Sequence, residues 1–380
     1  MLNIVKYHPK YDILRGIAAL TVLFAHVIQV YIRRLYIGDE IIFDISGTLA
    51  NHAVMIFFLL SGYLITASII GNIKYNVKFD YIAYLKARII RIYPPLIGAI
   101  ILVLCCWALI HGLNLPGKIH YGISTDTLVV RDSFDLKPRD IFLVLAMRNG
   151  MLQADGPLWS LSLEFVLYII AMFVTLAITA KILVTRLAWI MIAILVFAYG
   201  MKLNTQFSFF AFVWLVGSLS AIANSMNKLD NMIIYGRILF ITTLVSLFVI
   251  AIVNPRLISI QNIYPLSNTI IRILFCFFYL YLMFMTNILD GIKSEILIKS
   301  GSYSYSLYII HFPILLLIYS ITQNWMGGDF YRTLLTSCFA VITSVMAASV
   351  FSKYFENKRI FKPWVCSVFN LLNLRVISKR

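Results

Sequence analysis

The sequence predicts an all-α integral membrane protein that crosses the bilayer about ten times. Hydrophobic residues make up 61% of the 380 residues, and the mean hydropathy is +0.89, which excludes an ordinary soluble domain. Apolar runs of about 20 residues, the length that spans a bilayer as a helix, recur along the whole chain. The net charge of +16 does not indicate a nucleic-acid-binding protein. Its lysines and arginines lie between the apolar runs, as the positive-inside bias of membrane proteins predicts.

The positions of the apolar runs predict ten spans. They lie at roughly 13–33, 49–70, 94–111, 157–180, 187–203, 207–223, 236–254, 268–288, 302–322 and 332–353. With ten spans, the loops rich in lysine and arginine fall on one side of the membrane, so we expect both termini to be cytoplasmic. Residues 1–353 then form a single membrane domain, and residues 354–380 form a short cytoplasmic tail that is amphipathic or irregular.

Two polar residues inside the first span are the strongest functional signal. Arg15 and His26 are eleven residues apart, which on a helix places them on nearly the same face, about 16 Å apart along the axis. Because ionisable groups are expensive inside a bilayer, such residues indicate a functional site. Two of them on one face predict a polar path into the membrane.

Four further stretches carry polar groups in or beside the predicted spans. They are Phe57–Ile65 (FFLLSGYLI) in span two, Phe79–Pro94 (FDYIAYLKARIIRIYP) before span three, Pro157–Glu164 (PLWSLSLE) at the start of span four, and Gly301–Pro313 (GSYSYSLYIIHFP) in span nine. Ser61 and Gly62 in span two are small residues of the kind that allow helices to approach closely.

In their order and spacing these stretches resemble the acyltransferase-3 family of membrane acyltransferases. The shared patterns are Arg-(ten residues)-His, F-F-x-L-S-G-[FY]-L, R-x-x-R-I-x-P, W-S-L-S-x-E and S-Y-S-x-Y-x-x-H-x-P. In addition, Phe209–Gly217 (FFAFVWLVG) resembles the family's F-x-F-x-x-G span. They run from residue 12 to residue 313, so the resemblance covers most of the chain. The chain departs from the family at Phe165-Val166, where a Glu-Gln pair is frequent.

The resemblance implies an O-acyltransferase. Such proteins transfer an acyl group from cytoplasmic acyl-CoA to a hydroxyl. The group is usually acetyl, and the donor is then acetyl-CoA. The acceptor is commonly a bacterial surface glycan (O-antigen, capsule or exopolysaccharide) or its lipid-linked precursor, and the location is the bacterial cytoplasmic (inner) membrane. The chain resembles the stand-alone form, which lacks an extracytoplasmic SGNH-hydrolase domain. The five cysteines show no metal-ligand spacing, so we expect no metal.

His26 is the candidate catalytic residue. A hydroxyl must lose a proton as it attacks a thioester, and a neutral imidazole suits this work near pH 7. His26 could alternatively carry the acyl group covalently, or be a packing histidine. Arg15 is a candidate for binding the thioester end of acyl-CoA or stabilising the oxyanion. The alternative is a structural ion pair with Asp12.

Glu164 and His311 are further catalytic candidates. Counted along their spans, both lie near the depth of His26, around the middle of the bilayer. Glu164 could orient either histidine or accept a proton from the acceptor. The alternative for both residues is a buried structural hydrogen-bond network.

A basic segment before span three is the candidate donor site. Arg88 and Arg91 are one helical turn apart and close to Lys86, and arginine matches the phosphate oxygens that CoA carries. The alternative is that these residues set topology or bind anionic lipid.

Two other functions remain open from the sequence. The intramembrane charges would also suit a transporter or flippase of a polyprenyl-linked sugar, although no inverted repeat is evident. The same acyl transfer could instead act on a small cytoplasmic acceptor.

Overall fold

The computed structural model confirms an all-α polytopic membrane protein. It describes residues 8–36, 40–118, 133–148, 153–228, 238, 241–242, 245, 266–285 and 295–371. Their helices are α1 (Lys10–Val27), α2 (Glu40–Asn76), α3 (Tyr81–Gly112), α4 (Pro138–Leu145), α5 (Trp159–Thr179), α6 (Leu183–Leu203), α7 (Phe207–Ser225), α8 (Leu266–Met285), α9 (Glu295–Ser302), α10 (Ser304–Met326), α11 (Phe330–Phe355) and α12 (Lys358–Leu371).

Eight helices in the described part of the chain are long and apolar enough to cross a membrane. They correspond to predicted spans one to six, nine and ten. Predicted span eight coincides with α8, in which the apolar stretch Arg272–Met283 is shorter than the other eight. Predicted span seven, at 236–254, lies almost wholly outside the described residues.

Two helices are longer than the hydropathy of their spans predicts. Helix α2 covers 37 residues, and α3 begins at Tyr81 and not near Pro94. The start of α3 is set by Asp80, whose carboxylate accepts a hydrogen bond from the Ala83 amide at 2.9 Å, as an N-cap does. Asn72 of α2 bonds both the amide and the carbonyl of Asp80. The predicted cytoplasmic basic segment is therefore the first part of a membrane helix.

Helix α10 lies in the interior of the bundle. In its apolar segment 78% of the residues are buried, against 28% for α11 and 11% for α6. It packs against α1, α3 and α11. Polar side chains on α10 are therefore surrounded by protein, whereas α6 presents most of its surface outward.

Helices α2 and α7 pack closely through two glycines. A Cβ atom added at Gly62 would lie 1.9 Å from the Trp214 carbonyl oxygen, and one at Gly217 would lie 2.1 Å from the Leu59 carbonyl oxygen. Glycine is required at both positions because backbone of the facing helix occupies the space of a side chain. This contact positions Ser61, the neighbour of Gly62.

We predict that Gly62→Ala destabilises the protein by about 1–3 kcal/mol, the usual cost of overpacking. The control is Gly71→Ala on the same helix, because a Cβ there meets nothing within 4 Å. Thermal unfolding in detergent should show a lower Tm for the Gly62 variant only. Equal Tm values for the two variants would contradict the close α2–α7 contact.

Candidate acyl-transfer site

A cavity of about 590 Å³ lies between α1, α2, α3, α5, α10 and α12. Six of its lining residues are cations and one is a carboxylate. They are Arg15, Lys86, Arg88, Arg91, Lys358, Lys362 and Glu164. Hydroxyl groups also reach the lining, from Ser61, Ser160, Tyr168, Ser304, Tyr305 and Tyr308. Such an excess of positive charge suits an anionic ligand.

The two arginines of α3 are held by aromatic rings. The Arg88 guanidinium lies 5.3 Å from the centre of the Tyr84 ring and 5.7 Å from that of Tyr168, and it donates to the Ser68 hydroxyl. Arg91 lies 5.6 Å from the centre of the Tyr305 ring. Among the described residues neither arginine forms a salt bridge. Stacking of this kind fixes a guanidinium in place without neutralising its charge.

Glu164 is bound by hydroxyl donors. One of its carboxylate oxygens accepts from Ser61 Oγ at 2.7 Å and from the Tyr168 hydroxyl. Ser61 Oγ in turn accepts from the Trp214 indole at 3.3 Å. Within the described part of the chain Glu164 hydrogen-bonds neither His26 nor His311, so it does not orient them directly. It lies within electrostatic reach of Arg91.

His26 and His311, 285 positions apart in the chain, are direct hydrogen-bond partners. His26 Nδ1 and His311 Nε2 are 2.8 Å apart, and the rings stack with centres 5.0 Å apart. His311 Nδ1 lies 2.8 Å from the Leu307 carbonyl oxygen, which can only accept. His311 must therefore carry its proton on Nδ1, and when it is neutral its Nε2 accepts from His26 Nδ1–H. The neutral His26 ring then has its lone pair on Nε2.

Tyr308 connects the cavity to the histidine pair. It lines the cavity, and its ring centre lies 6.3 Å from that of His311. The Tyr308 hydroxyl donates to the Pro157 carbonyl at 2.9 Å, so the Ser160 hydroxyl, 2.6 Å away, is the donor to Tyr308. Neither histidine lines the cavity itself. The Tyr308 side chain therefore lies between the cavity and the histidine pair.

Arg15 lies at the cavity and also forms the ion pair with Asp12 that was its structural alternative. It lines the cavity, and its guanidinium lies 3.4 Å from an Asp12 carboxylate oxygen. Both side chains are partly exposed, so the ion pair is not a deeply buried one. Arg15 therefore remains a candidate for contact with a ligand.

The C-terminal segment contributes two cations that the sequence reasoning missed. Lys358 and Lys362 of α12 line the same cavity as the arginines of α3. Burial and the nearby guanidinium groups of Arg91, Arg88 and Arg15 lower the pKa of Lys358 from its ordinary value. Their four-residue spacing places the two lysines on one face of a helix. Because they lie beyond the last predicted span, the sequence did not connect them with a site inside the bundle.

The structure thus brings the predicted site residues into two adjoining groups. Arg15, Lys86, Arg88, Arg91 and Glu164 share the cavity, and the two predicted histidines form the pair behind it. Tyr168 and Tyr305 were not singled out from the sequence, although Tyr168 follows Glu164 by one helical turn. No group of three or more histidine, cysteine, aspartate or glutamate residues that could hold a metal ion occurs in the described part of the chain.

The chain matches the family described as an acyltransferase domain over residues 8–353, so it belongs to this acyltransferase-3 family, as its motifs indicated. No solved structure matches the chain significantly.

Two curated relatives come from rhizobia. Nodulation protein 10 of Rhizobium leguminosarum bv. viciae is 27% identical over 173 residues, which cover 43% of this chain and 43% of that protein. Protein 2 in picA locus of Rhizobium radiobacter is 28% identical over 167 residues, which cover 41% of this chain and 75% of that protein. The chain therefore aligns with less than half the length of the first relative.

Glu356, at the C-terminal end of α11, caps the N-terminal end of α10 from outside that helix. It follows α11 and accepts hydrogen bonds from the Ser306 amide at 3.0 Å and from the Ser306 hydroxyl. A carboxylate at a helix N-terminus is favourable because it meets unpaired amides and the positive end of the helix dipole.

We predict that Glu356→Ala lowers the free energy of unfolding by about 0.5–2 kcal/mol, the usual value of an N-cap. Glu295→Ala is the control, because Glu295 forms an exposed ion pair with Lys299 and such pairs contribute little. Thermal unfolding of both purified variants measures the difference. A Glu356 variant as stable as the control would show that this cap does not hold α10.

Proposed function

We propose that the protein transfers an acetyl group from cytoplasmic acetyl-CoA to a hydroxyl of a surface glycan, such as O-antigen, capsule or exopolysaccharide, or of its lipid-linked precursor. Membership of the acyltransferase family supports the reaction class. The observation that carries the proposal is the cation-lined cavity that leads to a hydrogen-bonded histidine pair.

The cations of the cavity suit the phosphates of the donor. Arg88 and Arg91 keep their charge and their donor groups while aromatic rings hold them in place. Guanidinium groups in this state bind phosphate oxygens well. Lys86, whose side chain is largely buried, adds a third charge on the same helix. We assign these three residues to the nucleotide end of acyl-CoA.

His26 is the proposed general base, and His311 is the proposed positioning residue. The Leu307 carbonyl fixes the tautomer of His311, and His311 fixes that of His26. The His26 Nε2 lone pair is then the atom that takes the proton. His26 and His311 are 7% and 1% exposed, so the surrounding helices shield the pair from bulk water.

The proposed reaction is a direct transfer of the acyl group from CoA to the acceptor hydroxyl. The acceptor oxygen forms a bond to the acyl carbon while its proton passes to His26 Nε2. The carbon–sulfur bond then breaks, and the departing CoA thiolate takes up that proton from His26, which returns the imidazole to its neutral form. Two groups would shape this step. Arg15, about 16 Å from His26 along α1, suits the polar part of the donor's extended arm. Glu164, held by Ser61 and Tyr168, balances Arg91 and can accept a hydrogen bond from the acceptor.

The proposed location is the bacterial inner membrane, with both termini in the cytoplasm. The structure supports a multi-pass membrane protein. Because acyl-CoA is cytoplasmic, the end of the cavity lined by Arg15, Lys358 and Lys362 would face the cytoplasm. The basic residues between the spans agree with this orientation.

We predict that His26→Ala abolishes glycan acetylation in cells. Loss of a general base lowers such rates by about 10²–10⁴-fold. A deletion strain would be complemented with wild type, His26→Ala or His111→Ala, and its surface glycans analysed by mass spectrometry for acetyl-mass increments. His111 is the control histidine, because it lies at the end of α3 and bonds the Trp107 carbonyl.

The outcomes separate the alternatives, provided that the variants reach equal protein levels. Acetyl groups restored by wild type and by His111→Ala but not by His26→Ala would support the proposal. Unchanged acetylation with intracellular accumulation of a lipid-linked sugar would contradict it and favour a flippase. Loss of acetyl groups only from a small cytoplasmic molecule would show that this molecule, and not a glycan, is the acceptor.

A further inference from the structure

The C-terminal helix α12 lies outside the region that matches the acyltransferase family. The family match ends at residue 353, and α12 covers Lys358–Leu371. It is nevertheless part of the cavity wall, to which it contributes Lys358, Lys362 and Cys366. The chain's own tail therefore changes the composition of the site.

Helix α12 is docked by an apolar contact with α3. Val365 and Phe369 are 2% and 7% exposed and pack with Ile82 in a separate small core. The Lys86 ammonium lies 5.1 Å from the centre of the Phe369 ring. Because α3 also carries Arg88 and Arg91, this contact fixes α12 beside the arginine pair.

The sequence of α12 turns its lysines toward the cavity. Lys358, Lys362 and Cys366 are spaced four apart, so they form one stripe along the helix. Val365 and Phe369 flank that stripe and form the contact with α3. Lys358, Lys362 and Arg359 are all exposed at the surface. Arg359, which is about 100° from Lys358 around the helix, does not line the cavity, whereas the two lysines do.

The charges of α12 and α3 converge on the same space. The ammonium of Lys358 is close enough to Arg91, Arg88 and Arg15 for their charges to disfavour its protonation. Like charges held together in this way repel one another, and a polyanion that bridges them relieves the repulsion. Glu356, two residues before α12, is fixed to the start of α10, which holds the lysines at this end of the cavity.

We propose that α12 completes the donor site: Lys358 and Lys362 bind phosphate groups of acyl-CoA together with Arg88 and Arg91. This inference rests on the proposed function, because it names residues for the donor of that reaction. According to this inference, a segment beyond the family domain takes part in binding the donor. Headgroups of anionic lipid carry the same phosphate chemistry, and the test separates these two sources.

The test measures acetyl-CoA kinetics of the full-length protein in nanodiscs of purely zwitterionic lipid. Lys358→Ala/Lys362→Ala should raise KM for acetyl-CoA about tenfold, the effect of losing about 1.4 kcal/mol of binding, with little change in kcat. The dependence of KM on salt should also become weaker, because fewer cations meet phosphate. Arg359→Ala, on the same helix, is the matched control and should keep the wild-type KM.

A second variant guards against a merely structural effect. Lys358→Arg/Lys362→Arg keeps the charges and should restore KM to near the wild-type value. A double alanine variant with wild-type KM would overturn the role of α12. So would a KM defect that appears only in nanodiscs containing anionic lipid, since that result assigns the lysines to lipid headgroups.

Failure of the proposed function gives a different result. If wild type neither binds CoA nor releases its thiol in the presence of an acceptor, the acyltransferase proposal itself is wrong, and the inference falls with it. If wild type is active and only the expected KM change is missing, the acyltransferase proposal stands and α12 has no part in donor binding.

Discussion

The placement of charged side chains in an apolar helical bundle is the constraint on which the site depends. Rings of Tyr84 and Tyr168 contact the Arg88 guanidinium, and the ring of Tyr305 contacts that of Arg91, which helps to accommodate both cations beside a membrane core. The cations of the cavity favour the binding of an anionic group near them. Because α3 is one continuous helix from Tyr81 onward, it places Arg88 and Arg91 inside the bundle.

The histidine pair likewise depends on hydrogen bonds between buried polar groups. A backbone carbonyl within α10 determines the tautomer of His311, and the bond between the two rings transmits that choice to His26. Most of the apolar segment of α10 is buried, so protein surrounds the pair, while the ring of Tyr308 joins it to the cavity. Donor binding and proton transfer are therefore assigned to neighbouring regions of one bundle, with Tyr308 between them.

The sequence predicted the parts of this account that depend on local pattern. Arg15 and His26 stood out because ionisable residues are rare in apolar runs, and the motif around Arg91 indicated a donor site. Contacts distant in the chain could not be predicted, because spacing within one helix does not reveal which helices adjoin. The pairing of His26 with His311, the hydroxyl partners of Glu164 and the convergence of Lys358 on α3 are of this kind. The early start of α3 required its cap at Asp80, which hydropathy does not register.

The central claim is that one cavity holds the acyl donor and directs its thioester toward the histidine pair. A cryo-EM structure with a non-reactive acetyl-CoA analogue tests it most directly. The account predicts phosphate oxygens within hydrogen-bond distance of Arg88 or Arg91. It also predicts the acyl carbon beside Tyr308, within about 7 Å of His26, the reach of one hydroxyl held between base and thioester. An analogue bound outside this cavity, or with its acyl end directed away from Tyr308, would contradict the account.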